Sequence, residues 1–175
     1  MPDAANGPGR RPLVIGYGNS LRRDDGVGCR VSQLVAADPA AAGADVIAAH
    51  QLTPELAYDL HRASRVVLVD AMVGARVAPG RCVVSRLPAP GAPGSTAPTG
   101  GASSHHCTPQ LLAVMAEQLY GSVAPITVVG VAAGSVDQGE TLTGPVAAQL
   151  PAIVDLVIEL LTEEMTSTGE GQCHA

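Results

Sequence analysis

Hydrophobic residues gather in short uninterrupted runs along the chain, and amphipathic segments separate these runs. The strongest runs are residues 13–15, 66–69 and 126–131. Runs of this length without polar alternation are typical of strands that are buried on both faces of a parallel sheet. Residues 45–49 and 82–87 predict two further strands, the second in a hairpin after the turn at Pro79-Gly80. The pattern therefore predicts about five strands.

The segments between the runs carry helical patterns. Val27, Val31 and Val35 fall on one face of a helix that we expect to end before Pro39. A threonine followed by a proline supplies an N-cap and a favourable first helical residue, and this pair occurs before two more helices. The further predicted helices cover residues 55–61 after Thr53-Pro54, 109–120 after Thr108-Pro109, and about 145–165 with a kink at Pro151. Alternating strands and helices predict an α/β fold, a three-layer sandwich with a mostly parallel twisted sheet of about five strands flanked by helices.

The domain organisation follows from the same pattern, which extends from residue 12 to residue 165 and predicts a single α/β domain. We expect residues 1–11, which are polar and rich in glycine and proline, to form a flexible leader, and residues 166–175 to form a flexible tail. Residues 88–102 are rich in Pro, Gly, Ala, Ser and Thr. They predict a mobile loop inside the domain, because the alternation of strands and helices resumes after them.

The composition excludes several chemistries. All ten basic residues among the 175 are arginine, so the chain has no lysine for a Schiff base, a pyridoxal-phosphate anchor or a Walker A loop. Its only aromatic residues are three tyrosines, which are too few for the stacking platforms that bind single-stranded nucleic acid. The net charge of -6 also disfavours a polyanionic partner. We therefore expect no nucleic acid among the partners.

Cysteine usage and hydropathy predict the compartment. The four cysteines are scattered without a C-x-x-C pair, and the chain does not open on a basic and apolar leader. The most apolar segment, residues 153–161, is interrupted by Asp155 and Glu159 and is shorter than the roughly 18 residues of a membrane span. We expect a soluble protein in a reducing cytoplasm, with no membrane among its partners.

Residues with metal-binding or catalytic chemistry lie where predicted strands end or a predicted helix begins. Asp24 and Asp25 lie in the glycine-rich segment after the first strand, Asp70 ends the run at 66–69, and His105-His106 precede a helix. Ligands of α/β sheets bind outside the carboxyl ends of the strands, so the fold would bring these residues together. Carboxylates and imidazole suit a borderline divalent metal such as nickel or zinc, with positions left open for water or substrate.

Each of these features also has a plainer interpretation. Gly16-x-Gly18 begins a dinucleotide-binding fingerprint, but Leu21 replaces the third glycine and no acid ends the second strand. One acid would suffice to favour the positive end of the following helix, whereas two adjacent carboxylates repel each other, which favours a bound cation or cationic partner. The later aspartate and the histidine pair also suit a cap, a turn or an ordinary loop. A cysteine-histidine dyad at Cys107 stays open, although nothing in its surroundings marks an activated thiol.

Three segments resemble the motifs of one enzyme family, the nickel-iron hydrogenase maturation endopeptidases. Residues 14–28, VIGYGNSLRRDDGVG, closely resemble the opening motif G-x-G-N-x-L-x-x-D-[DE]-G-x-G. Residues 67–71 (VLVDA) and 103–105 (SSH) resemble the second and third motifs, in the same order along the chain. The likeness spans about residues 13–160, and the first motif is the specific one.

The resemblance implies a metal-dependent, aspartic-type endopeptidase with one peptidase domain over residues 12–165. Members of this family remove a short C-terminal extension from the precursor of the hydrogenase large subunit after nickel insertion. Carried over to this chain, the residues that bind metal and act in catalysis are Asp25, Asp70 and His105. The implied metal is nickel that the substrate presents, with zinc or another divalent metal as another occupant. The implied partner is the large-subunit precursor, and we expect a cytoplasmic monomer.

The sequence departs from the family pattern at the end of the second strand. Many members have Asp-Gly-Gly-Thr there, whereas residues 49–53 read AHQLT. If the usual aspartate assists proteolysis, His50 substitutes for it or that role is lost. His106 is an alternative to His105, although a serine two residues before His105 and Pro109 four residues after it fit the motif better. A non-catalytic nickel-binding chaperone of the same precursor is the rival function, and a nucleotide-binding regulator is the third.

Overall fold

A five-stranded sheet forms the centre of the structure, a computed structural model that describes residues 9–92 and 107–163. The strands are β1 (Leu13–Tyr17), β2 (Asp45–Ala49), β3 (Val66–Met72), β4 (Cys82–Arg86) and β5 (Ile126–Ala132). Their order across the sheet is β2-β1-β3-β5-β4. All neighbours pair in parallel except β4, which is antiparallel to β5.

Helices cover both faces of this sheet within the described residues. They are α1 (Val27–Ala37), α2 (Leu56–Arg62), α3 (Pro109–Tyr120) and α4 (Gly144–Thr162). One buried cluster joins the sheet to α1 and α4, and a second cluster joins the opposite face to α2 and α3. The predicted fold class, a three-layer α/β sandwich with a mostly parallel sheet, is confirmed.

The double coverage of the sheet explains the apolar runs of the sequence. Along β3, Val66 and Leu68 face the cluster with α2 and α3, while Val67 and Val69 face the cluster with α1 and α4. All four side chains are buried. A strand covered on both faces has no solvent-facing position, so it shows no polar alternation. The core consists of aliphatic side chains, because the chain contains no Phe or Trp.

The helix starts agree with the sequence in one case and differ in another. The Thr108 side chain accepts a hydrogen bond from the Leu111 amide and caps α3, as predicted, and α3 ends at Gly121 with a φ of 78°. The predicted N-cap of the preceding helix, Thr53, is wrong. Glu55 is the N-cap of α2, and the Thr53 carbonyl instead accepts a hydrogen bond from the Leu56 amide in a turn before the helix.

The predicted hairpin at β4 is also wrong, although the strand itself is present. β5 lies between β3 and β4, so the turn at Pro79-Gly80 leads the chain past β5 to the edge of the sheet. The Gly80 amide donates to the Ala132 carbonyl, which fixes the start of β4 beside the end of β5. The edge of β3 was not free for a hairpin, because β3 pairs with β1 on one side and with β5 on the other.

The expected leader, loop and tail are only partly described. Residues 1–8, 93–102 and 166–175 lie outside the described residues. The last residue of the expected leader is held in place: Arg11 donates to the Gly43 carbonyl at 3.0 Å and forms an ion pair with Asp45 at 2.9 Å. These contacts connect the segment before β1 to the start of β2.

By length and composition alone, α4 is long and apolar enough to cross a membrane. The prediction from residues 153–161 did not include this helix as a candidate span. The helix spans 19 residues from Gly144 to Thr162, which is longer than residues 153–161 alone, and its mean hydropathy stays at 1.6 despite Asp155 and Glu159. Val146, Ile153 and Val157 of α4 are buried against the sheet. Core helices of soluble proteins meet the same criterion, so this single helix is weak support for a membrane span.

Two glycines allow α1 to approach β1 closely. A Cβ on Gly16 would lie 1.9 Å from the Gly28 carbonyl oxygen, and a Cβ on Gly28 would lie 2.4 Å from the Tyr17 carbonyl oxygen. We expect Gly16→Ala to lower the free energy of unfolding by about 3 kcal/mol, because backbone atoms cannot move aside. Gly43→Ala is the matched control, since its Cβ would meet nothing within 4 Å. Denaturant unfolding that gives both variants the same stability would contradict this close contact.

Candidate functional site

The loop after β1 folds tightly back on itself and fixes the position of Asp25. Gly18 has a φ of 136°, and a Cβ there would lie 1.8 Å from the Asp25 carbonyl oxygen, so only glycine fits. The Asn19 amide donates to Asp25 Oδ2 at 3.1 Å, and the Asn19 side chain accepts from the Leu21 amide at 2.9 Å. The glycines and the asparagine of the first motif thus hold one carboxylate at the end of β1.

Asp70 lies at the same edge of the sheet. Gly16 of β1 is in register with Val69 of β3, so the next residues, Tyr17 and Asp70, are neighbours where β1 ends, and β3 continues to Met72. Asp70 is half-buried, and its Oδ1 accepts a hydrogen bond from the Ala71 amide at 2.8 Å. Asp25 and Asp70, two of the predicted site residues, are therefore brought together at one edge.

The two carboxylates interact electrostatically. Burial raises the pKa of Asp70 above its usual value, and the negative charge of Asp25 raises it further. Hydrogen bonds from the Tyr17 hydroxyl and the Ala71 amide stabilise the charged form and limit this rise. A half-buried carboxylate beside a second carboxylate gains most from a cation placed between them.

Tyr17 is a residue of this site that the sequence reasoning missed. Burial, followed by the charge of Asp70, raises the pKa of the Tyr17 hydroxyl far above its usual value. The hydroxyl therefore stays protonated and serves as a hydrogen-bond donor to Asp70. The available signal was its position, because Tyr17 follows the apolar run of β1 as Asp70 follows the run of β3.

The third predicted site residue, His105, and its alternative, His106, lie outside the described residues. Cys107 is the first described residue after them, and it packs against the same buried cluster as Tyr17. Burial raises the pKa of the Cys107 thiol, and the charge of Glu55 adds to this rise. A raised pKa disfavours the thiolate form that a nucleophile needs. A dyad of Cys107 with His105 or His106 is not tested, because both histidines lie outside the described residues.

In the part of the chain that the structure describes, no three His, Cys, Asp or Glu side chains form a group that could hold a metal ion. Asp25 and Asp70 provide two carboxylates at one edge, and the described residues add no third ligand. His50 follows β2 and is exposed.

Asp24 has a different role from Asp25. Its side chain is 0% exposed and accepts four hydrogen bonds. The donors are the amides of Gly134, Ser135 and Thr143 and the Thr143 hydroxyl, at distances of 2.8, 3.1, 2.7 and 2.8 Å. The interpretation that the acidic pair holds a cation is therefore wrong for Asp24. Backbone and hydroxyl donors stabilise its negative charge instead.

The arginines before this pair also contact the segment that binds Asp24. Arg22 Nε donates to the Val136 carbonyl at 3.1 Å, and the Arg23 amide donates to the Gly139 carbonyl at 2.7 Å. Arg23 has a φ of 44°, a left-handed conformation that is unusual for a residue with a side chain. The first motif is thus joined to residues 134–143 along its length.

No protein-family model and no curated protein sequence matches the chain. Solved structures do. The hydrogenase 2 maturation peptidase from a Thaumarchaeota archaeon is 28% identical, with a TM-score of 0.64, and the match covers 87% of this chain and 98% of that one. The hydrogenase maturating endopeptidase HybD from E. coli is 26% identical, with a TM-score of 0.67, and the match covers 86% and 91%.

A further structure shares the fold. The [NiFe] hydrogenase maturation protease HycI from Thermococcus kodakarensis is 20% identical, with a TM-score of 0.64 over 89% of this chain and 96% of its own. The first two neighbours match nearly the whole domain, and the motif residues described above lie within it. These neighbours are all hydrogenase maturation proteases, and the chain shares their fold over most of its length.

Proposed function

We propose that the protein is an endopeptidase that removes the C-terminal extension of the nickel-iron hydrogenase large-subunit precursor after nickel insertion. The observation that carries this proposal is the meeting of Asp25 and Asp70 at one sheet edge in a fold shared with hydrogenase maturation peptidases. We further propose that it acts as a cytoplasmic monomer.

The proposed recognition of the substrate is through its nickel, bound by Asp25, Asp70 and His105. The chemistry of the described donors fits such a role, because Asp70 is half-buried and carries a raised pKa beside a second acid. A bound cation would offset the cost of burying the Asp70 charge and its repulsion by the Asp25 charge. Carboxylate and imidazole donors suit nickel, and zinc or another divalent metal would suit them as well. A precursor without metal would bring no such gain, so nickel loading becomes a condition for productive docking.

The chain's own residues hold the two carboxylates for this task. The Asn19 amide orients Asp25, while the Ala71 amide and the Tyr17 hydroxyl orient Asp70. Carboxylates that are already positioned lose little further freedom when the substrate docks.

The inclusion of His105 rests on its motif, SSH at residues 103–105. Cys107 lies two residues after His105 and packs against the same cluster as Tyr17, which contacts Asp70. His106 is the alternative ligand. His50 would replace the aspartate that many family members have after the second strand.

The rival function, a nickel-binding chaperone, predicts a different fate for the precursor. We expect the mass of a nickel-loaded large-subunit precursor to fall by the mass of its extension when the protein is added in a catalytic amount. Intact-mass spectrometry measures this change, and size-exclusion chromatography of the same mixture reports complexes. A stable complex with an unchanged precursor mass would favour the chaperone instead.

A further inference from the structure

A groove beside the motif loop has the chemistry of a peptide-binding site. It lies between the start of α1 and the start of α4 and has a volume of about 510 Å³. One wall contains Arg23, Cys29 and Arg30, and the other contains Leu142, Ala147 and Leu150. The groove therefore has a cationic wall opposite an apolar wall.

Neither arginine of the groove has a carboxylate partner among residues 9–92 and 107–163. Among the described residues the one ion pair joins Arg11 to Asp45, although the chain carries a net charge of -6. Arg30 donates to the side chain of Gln33 at 3.3 Å, and Arg23 Nε is buried without a hydrogen-bond partner. A buried donor without a partner costs free energy, so a ligand that accepts its hydrogen bond is favoured.

The backbone of Arg23 adds to this picture. Its left-handed φ of 44° is held by the hydrogen bond from its amide to Gly139, and the side chain lies close to Gly139. Strained backbone of this kind tends to occur at functional sites. Glu140 also lines the groove, and it is exposed. With two arginines and one glutamate, the charged residues that line the groove have a net positive charge.

The groove lies beside the loop that holds Asp25, because Ser20 and Gly26 of that loop line it. Cys29 lines the groove, and its Sγ donates to the Ala49 carbonyl at the end of β2. Burial raises the pKa of this thiol, and the nearby charge of Asp25 raises it further. An extended peptide bound at Asp25 would pass Ser20 and Cys29, which line the groove, to enter it.

We propose that this groove binds the C-terminal extension of the precursor, with Arg23 and Arg30 donating hydrogen bonds to its carboxylate groups. The inference rests on the proposed function for the identity of the peptide. The apolar wall at Leu142 and Leu150 packs against the aliphatic side chains of the extension. The carboxylates come from acidic side chains or from the terminal carboxyl group, and the experiment separates these two sources.

The test uses a fluorescent peptide with the sequence of the extension and measures its binding by anisotropy. Three peptides are compared: the native one, one with a C-terminal amide, and one with Asp and Glu changed to Asn and Gln. We expect Arg30→Gln and Arg23→Asn to weaken binding of the native peptide about tenfold each. Asparagine tolerates the left-handed backbone at position 23. If the amidated peptide binds the wild-type protein as weakly as the native peptide binds the arginine variants, the carboxylate is the terminal one. If the peptide with Asn and Gln does so, the carboxylates come from acidic side chains.

Arg62→Gln is the matched control, because Arg62 is exposed on α2 in the opposite helical layer. With the nickel-loaded precursor as substrate, both groove variants are expected to raise KM about tenfold and leave kcat unchanged. Equal binding of all three peptides, or a KM for Arg30→Gln equal to that of Arg62→Gln, would overturn the inference. Failure of the wild-type protein to cleave any precursor would refute the proposed function, while the anisotropy result would still decide the role of the groove.

Discussion

Asp24→Ala is expected to lower the free energy of unfolding by about 3 to 4 kcal/mol, although the residue is adjacent to the proposed metal ligand. The substitution removes a buried acceptor and leaves three backbone amides and one hydroxyl, which are partly buried, without their partner. Each buried donor that loses its partner costs about 1 kcal/mol or more, and water entering the space recovers part of this. For a chain of this length we expect the melting temperature to fall by roughly 10 °C.

Asp24→Asn tests the geometry of this cluster more closely. Its side chain has the same shape but only one acceptor oxygen. Placed toward Gly134 and Ser135, that oxygen would turn the amide group toward the Thr143 amide, so two donors would face each other. We expect Asn to be nearly as destabilising as Ala. Asp155→Asn, at an exposed position of α4, is the control and is expected to change stability by less than about 0.5 kcal/mol.

The same carboxylate gives the stability a defined pH dependence. Burial opposes the charge of Asp24, but the hydrogen bonds from Thr143, Ser135 and Gly134 outweigh it and hold the pKa below its usual value. Its contribution is complete above the unfolded-state pKa of about 4 and is lost as the pH falls through the lower folded-state pKa. Denaturant curves should therefore show that the difference between the wild type and Asp24→Ala shrinks below about pH 4. A difference that grows on acidification would contradict this role.

Asp25→Asn and Asp70→Asn are each expected to lower kcat/KM for precursor processing by about a thousandfold or more, with little change in stability. Both side chains lie at an edge of the sheet that is partly open to solvent. Losing one carboxylate removes a proposed ligand and leaves the fold intact. Mass-resolved time courses measure the rate, and circular dichroism melts verify folding.

The two histidines form a second matched pair for this prediction. His105→Ala is expected to match the loss at Asp70, whereas His106→Ala should retain processing close to that of the wild type. The reverse result would identify His106, and not His105, as the histidine ligand. Processing at the wild-type rate by both aspartate variants and by both histidine variants would remove the proposed site altogether.

The sequence predicted the fold well where the reason was local. The runs at residues 13–15 and 66–69 are apolar because helices cover both faces of the sheet. Such a run predicts a buried strand without any knowledge of which helices cover it. The cap at Thr108 and the proline after it likewise fixed the start of α3. Asp25 and Asp70 could be placed at one edge because parallel strands end on the same side.

The rest depended on contacts between distant parts of the chain. Asp24 is bound by residues more than a hundred positions later, and nothing in its own surroundings distinguishes it from Asp25. The place of β4 beside β5 is set by the pairing of β3 and β5, which a local turn signal does not contain. The contact of Tyr17 with Asp70 needs the register of β1 and β3. The partners of these side chains are thus set by the order and register of the strands, which the local sequence does not contain.

The most direct test of the proposed function compares nickel-loaded and nickel-free forms of the same large-subunit precursor. Each is incubated with the wild-type protein and with Asp70→Asn, and the intact precursor mass is followed over time. We expect the loss of the extension from the nickel-loaded form with the wild-type protein alone. No cleavage of the loaded precursor by the wild type would contradict the assignment as a peptidase, and equal cleavage of the nickel-free form would contradict recognition through the metal.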